Sequence, residues 1–230
     1  MHFISVVVPV FNSADCLPEL TRRIHRALQD NYELILVNDH SSDNSWEVIC
    51  SLFREYKTVA GVNLRINSGQ DNALMAGLQQ TRGDFVVIMD DDLQHAPEDI
   101  FQLYDQCLGG YDVCYADFSK KKQAWWKNLG SWFNGKMGEF ILNKPRHIYL
   151  SPFKIIRKEV VKEIYRYNGP YPYIDGPGGA IIPGSIVLVA PDRGSLTRIV
   201  RLTGRGEYRV DTPAVEQVAD ICEQAPYLAE

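Results

Sequence analysis

The chain has 230 residues, 45% hydrophobic and 23% charged, enough to bury the core of one domain with or without an appendage. Its 29 acidic residues outnumber 24 basic ones, and a formal net charge of −5 argues against a nucleic-acid binder, which needs a basic face for phosphates. Five cysteines (Cys16, Cys50, Cys107, Cys114 and Cys222) show neither a CxxC pair nor zinc spacing, so reduced thiols in the cytosol are expected and structural zinc is not.

The β-branched run at 3–10 predicts a buried strand. Residues 15–28 carry Leu17, Leu20, Ile24 and Leu28 at helical spacing. A second buried strand is expected at 32–37, followed by the polar turn Asn38-Asp39-His40-Ser41-Ser42-Asp43. Ser42 or Asp43 is placed to cap a helix through Trp46, Ile49, Leu52 and Phe53. A short strand at 58–63, a helix at 73–80, a strand at 85–89, a helix at 97–108 and a strand at 112–116 follow. Alternating strands and helices predict βαβ units, hence an α/β fold with a mostly parallel sheet flanked by helices. Ligands of such sheets bind at the carboxyl ends of strands, where Phe11-Asn12, Asn38-Asp39 and Asp90-Asp91-Asp92 all lie.

Three adjacent carboxylates repel one another, and a divalent cation relieves that repulsion. Mg²⁺ or Mn²⁺ takes oxygen ligands, commonly one or two carboxylates plus substrate phosphates. Asp90 and Asp92 can face one way, with Gln94 adding an amide oxygen. The plainer reading is a solvated turn that caps the next helix. Asn12 and Asp39 are likewise ordinary turn formers when taken singly. No GxGxxG follows the first strand, which disfavours a dinucleotide-binding dehydrogenase.

Taken in order, Val6-Val7-Val8-Pro9-Val10-Phe11-Asn12, Leu36-Val37-Asn38-Asp39, Asn67-Ser68-Gly69-Gln70, Ala76-Gly77, Gly83-Asp84 and Met89-Asp90-Asp91-Asp92-Leu93-Gln94-His95 resemble family 2 glycosyltransferases. The branch resembled is that of the dolichol- or undecaprenol-phosphate sugar transferases, over about residues 3–175. The resemblance implies a GT-A fold and an inverting, metal-dependent transfer of a sugar from a nucleotide-sugar donor to a polyprenyl phosphate. Pro9, Phe11, Asn12, Asp39 and Gln70 then surround the nucleotide, with Asp90 and Asp91 beside the sugar-diphosphate. Asp90, Asp92 and Gln94 become Mg²⁺ or Mn²⁺ ligands, and Asp91, Asp92 and Asp175 the catalytic candidates. Ser13 stands where the branch commonly has Glu, and Asn38 where a first Asp is frequent.

Residues 119–142 interleave five lysines with Trp125, Trp126, Trp132 and Phe133. That pattern fits a helix at a membrane headgroup surface, or a helix packed on the core with its lysines solvated. With a lipid acceptor implied, a peripheral place on the cytoplasmic membrane face is expected; no apolar run reaches the ~18–20 residues that span a bilayer. Lys154 and Arg157 resemble the family's paired arginines and are the phosphate or acceptor candidates. A glycosyltransferase domain over 1–176 is expected, followed by a divergent segment over 177–230 where the resemblance stops. Two other functions stay open: the same fold acting on a glycan hydroxyl, or a non-catalytic nucleotide-binding scaffold on a lipid surface. A homo-oligomer is also left open.

Overall fold

The structure, a computed structural model, describes residues 2–116, 151–164, 185–190, 195–202 and 208–211. Strands β1 (Ile4–Val10), β2 (Tyr32–Asn38), β4 (Phe85–Ile88) and β5 (Val113–Ala116) are buried at every position, as continuous apolar runs require when both sheet faces are covered. β3 (Val59–Asn63) alternates in exposure. The helices α1 (Leu17–Leu28), α2 (Ser45–Glu55), α3 (Gln70–Leu78) and α4 (Ile100–Leu108) connect them, with a 3₁₀ turn at Pro97–Asp99 leading into α4. β6 (Lys154–Arg157) runs straight into α5 (Lys158–Ile164). β7 (Ser185–Ala190), β8 (Ser195–Leu202) and β9 (Tyr208–Asp211) complete one sheet, ordered β3-β2-β1-β4-β6-β5-β7-β8-β9. Three strands beyond residue 176 therefore extend the same sheet, joining it through parallel pairing of β7 with β5.

β1 pairs in parallel with β2 on one side and β4 on the other. The chain winds outward from β1 to β3, then crosses back to β4. That reversal opens a crevice at the carboxyl ends of β1 and β4. Side-chain alternation splits the core in two. Val6, Val8 and Val10 pack with Leu17, Leu20 and Ile24 of α1 and Leu103 of α4, whereas Val7, Ile35 and Val37 pack with Ala73, Leu74 and Leu78 of α3 and with Val161 of α5. α3 lies close on the sheet because residue 77 is glycine: a Cβ there would stand 2.5 Å from Val7 Cγ1 and 2.8 Å from Val37 Cγ2.

Three helix starts differ from expectation. α2 begins at Ser45 with Asn44 as its N-cap; Asp43 instead accepts the Ser45 amide at Oδ1 and the Ala14 amide at Oδ2. α3 begins at Gln70, three residues early, after a loop held from a distance by Asp39. The first turn of the helix expected at 97–108 is 3₁₀.

Candidate active site

A cavity of about 350 Å³ opens at the carboxyl ends of β1, β2 and β4. The end of β1 contributes Pro9, Val10 and Phe11, the end of β2 Asp39, the loop into α3 Asn67, Gly69 and Gln70, and the end of β4 Asp90 and Asp91. Six predicted residues meet here: Pro9, Phe11, Asp39, Gln70, Asp90 and Asp91. Phe11 is 51% exposed at the mouth, a large aromatic surface that solvent contact alone does not favour.

Hydrogen bonds lock these loops together. Asp39 is buried, and its two carboxylate oxygens accept the amides of Ser68 (2.7 Å) and Gly69 (2.8 Å). Gly69 adopts φ +86, a left-handed conformation that suits glycine, so the amide can turn toward Asp39. Gln70 Nε2 donates to Asp90 Oδ1 at 2.9 Å, and the Phe11 amide donates to Asp91 Oδ2 at 3.2 Å. Each of the three strand-end loops also holds one non-glycine residue at positive φ: Asn12 (φ 55), His40 (φ 55) and Leu93 (φ 59). Such conformations cost free energy and cluster where loops are shaped for ligands.

Asn12 stands outside the cavity lining. Its carboxamide oxygen accepts from the Ser42 amide (2.8 Å), the Ser42 hydroxyl (3.1 Å) and the Asp43 amide (3.4 Å), pinning the β2 loop to the β1 loop. Asp92 Oδ1 accepts the Gln94 amide at 3.0 Å, and both residues are exposed. The segment does not cap a helix, since the 3₁₀ turn starts only at Pro97. His95 stacks on Phe153 at 5.5 Å between ring centres, tying the acidic loop to the entry of β6. Among the described residues no three His, Cys, Asp or Glu side chains converge as a ready-made metal cage.

Burial, first, and then the charges of Asp92 and Asp91 push the Asp90 carboxyl up to about 6, against the opposing pull of Gln70 and Lys154. An oxygen-only donor set under that strain is one that a hard divalent cation joined to a diphosphate would relieve.

The two basic candidates lie apart from the cavity lining. Arg157 pairs with Phe85, at the end of β4 remote from the cavity. Its guanidinium donates to the Tyr111 and Cys107 carbonyls at the α4–β5 junction and lies 5.3 Å from the Phe85 ring centre. It satisfies backbone groups there. Lys154 is 1% exposed and does not line the cavity, so direct phosphate contact does not suit it. Asp175 and the basic aromatic stretch at 119–142 lie outside the described residues. Val10, Asn67 and Gly69 were not among the predicted site residues, although Asn-Ser-Gly-Gln at the start of α3 was a usable signal.

Known proteins resemble this chain in sequence and fold. An undecaprenyl-phosphate 4-deoxy-4-formamido-L-arabinose transferase of Pseudomonas fluorescens is 44% identical over 117 residues, covering 49% of this chain and 34% of the relative. One from an Enterobacter species is 33% identical over 165 residues, covering 70% and 50%. The chain thus spans about a third to a half of the length of these curated relatives. Among solved structures, glucosyl-3-phosphoglycerate synthase from Mycobacterium tuberculosis, in complex with Mn²⁺, UDP-glucose and phosphoglyceric acid, superposes with a TM-score of 0.56 at 18% identity, covering 71% of this chain and 59% of that one. That likeness shows the GT-A fold. The family described as glycosyl transferase family 2 matches residues 5–165, which span the cavity, the acidic strand end and the β6–α5 corner, and the chain belongs to that family.

Proposed function

We propose that this chain carries the donor- and metal-binding part of an inverting glycosyltransferase that moves a sugar from a nucleotide-sugar to a polyprenyl phosphate. The observation that carries this reading is the convergence of Phe11, Asp39, Gln70, Asp90 and Asp91 on one cavity at the sheet's switch point. In this reading Pro9, Phe11 and Asp39 frame the base and Gln70 and Asp91 the sugar-diphosphate. Asp90 and Asp92, with Gln94, would hold Mg²⁺ or Mn²⁺. When bound, the cation neutralises the charge that develops on the departing diphosphate.

The residues of the chain supply orientation. Asp39 keeps the loop into α3 closed against the base, and Gln70 and the Phe11 amide hold Asp90 and Asp91 at the cavity wall. The lipid phosphate is already anionic near neutral pH. One of its oxygens attacks the anomeric carbon, the bond from that carbon to the diphosphate oxygen breaks, and the electron pair leaves with the nucleoside diphosphate. No side chain has to remove a proton, so a base such as Asp175 is dispensable for this acceptor, whereas a sugar hydroxyl would require one.

The relatives' names support undecaprenyl phosphate as acceptor and 4-deoxy-4-formamido-L-arabinose as a sugar to test first. Work at a lipid surface, on the cytoplasmic face, follows from that acceptor; among the described residues no helix is long and apolar enough to cross a membrane. The decisive experiment incubates the chain with Mn²⁺, nucleotide-linked 4-deoxy-4-formamido-L-arabinose or UDP-glucose, and undecaprenyl phosphate in detergent. Metal-dependent appearance of the lipid-linked sugar is expected. Product formed only on a glycan acceptor, or none with any acceptor despite nucleotide binding, overturns the reading in favour of the hydroxyl-directed enzyme or the scaffold.

A further inference from the structure

The acidic turn has a cation of its own. Lys154 on β6 pairs with Ile88 on one side and Tyr115 on the other, and Ile88 lies two residues before Asp90. Extended backbone returns side chains to the same face every second residue, so Lys154 and Asp90 share the α3-facing side of the sheet. The lysine is 1% exposed, and its Nζ lies 5.3 Å from the centre of the Tyr115 ring. Burying an ammonium is costly unless a carboxylate or an aromatic face compensates it. Tyr115 provides the face and Asp90 the carboxylate, whose charged form Lys154 favours.

Lys154 does not line the cavity, so it acts through Asp90 and not on the donor. We propose that Lys154 is a positioning residue that makes metal binding conditional on the donor, its ammonium supplying part of the positive charge at Asp90 that a divalent cation would otherwise supply. This rests on the donor-and-metal reading above. In the free site the ammonium offsets one of three carboxylates and repels an incoming cation. A nucleoside diphosphate adds negative charge and restores the attraction, so the cation binds firmly only together with it. By linkage, the cation tightens the nucleotide by the same factor as the nucleotide tightens the cation.

The test is calorimetric titration of Mn²⁺ into the full chain, alone and with saturating UDP or GDP, for the wild type and for K154M, K154Q and K154R. The wild type should bind Mn²⁺ weakly alone and markedly tighter with one of the nucleotides. Removing a unit charge near a divalent ion should tighten Mn²⁺ binding to free K154M and K154Q by about ten-fold and shrink the nucleotide coupling by the same factor. K154R should track the wild type. Neutral variants that fold yet bind Mn²⁺ alone no tighter than wild type overturn the inference and leave Lys154 a packing residue. If the neutral variants unfold, recovery of the fold by Mn²⁺ alone supports the proposal and failure to recover overturns it. A wild type that binds no Mn²⁺ even with nucleotide refutes the donor-and-metal reading itself, and the inference with it; a coupled wild type with unmoved variants refutes only the inference.

Discussion

Asp90 is held between the cavity and the core, and its carboxyl is pushed up to about 6 from the ordinary 3.8, burial acting first and the neighbouring Asp92 and Asp91 next. Between pH 4 and 6 the folded chain therefore keeps a proton that the unfolded chain releases. The sign follows: this group's contribution to stability falls as pH rises through that window and levels off above it. A divalent cation must displace the same proton, so Mn²⁺ affinity in the presence of nucleotide should climb from pH 5 and flatten above about pH 7. Urea titrations between pH 4 and 7 should show the stability slope in the wild type and lose it in Asp90→Asn. An unchanged slope in that variant would assign the proton elsewhere. The letters at 89–95 show the neighbouring charges but not the larger cause, which is how deeply the β4 end is buried. Asn12 shows the converse: its turn-forming chemistry was legible, while its three loop-pinning contacts come from residues about thirty positions away.

At the level of elements, apolar runs and helical spacings were enough to anticipate β1, α1, β2, β4 and α4, because local periodicity is set by which face is buried. The start of α3 was not, since the carboxylate that orders the residues before it belongs to the end of β2. Nor does spacing show that β6 enters the sheet antiparallel between β4 and β5, which is what sets Lys154 beside the acidic turn. α3 offers the sharpest element-scale test. It carries Gln70 at its first turn and rests on β1 and β2 through the bare backbone of Gly77. Gly77→Ala would raise helix propensity, yet its methyl group meets Val7 and Val37 well inside van der Waals contact. Overpacking should win, costing about 1–3 kcal/mol and lowering Tm by several degrees in calorimetry. Donor affinity should fall as well, because lifting α3 moves Gln70 from Asp90. A stabilised variant would mean that α3 settles differently on the sheet.

Across the whole molecule, residues separated by as many as 82 positions meet because β4 returns to the side of β1 opposite β2. The order of motifs along the chain made a strand-end site foreseeable, whereas its closure by backbone amides of Phe11, Ser68 and Gly69 needs the folded loops. Such a site should behave as one thermodynamic unit. Mn²⁺ with the cognate nucleoside diphosphate at about 100 times its Kd should stabilise the chain by about 2.7 kcal/mol, visible as a rise in Tm that a chelator reverses. Asp39→Asn replaces one carboxylate oxygen, where both accept amides, with a donor facing an amide hydrogen. It should cancel the rise although Asp39 follows β2 and the acidic turn follows β4. Asp92→Asn should cancel it too, without the loss of basal Tm expected of Asp39→Asn, because Asp92 is exposed and Asp39 is buried. If the two variants instead removed separate halves of the shift, nucleotide and metal would bind independently, and the three strand ends would be neighbours, not a single site.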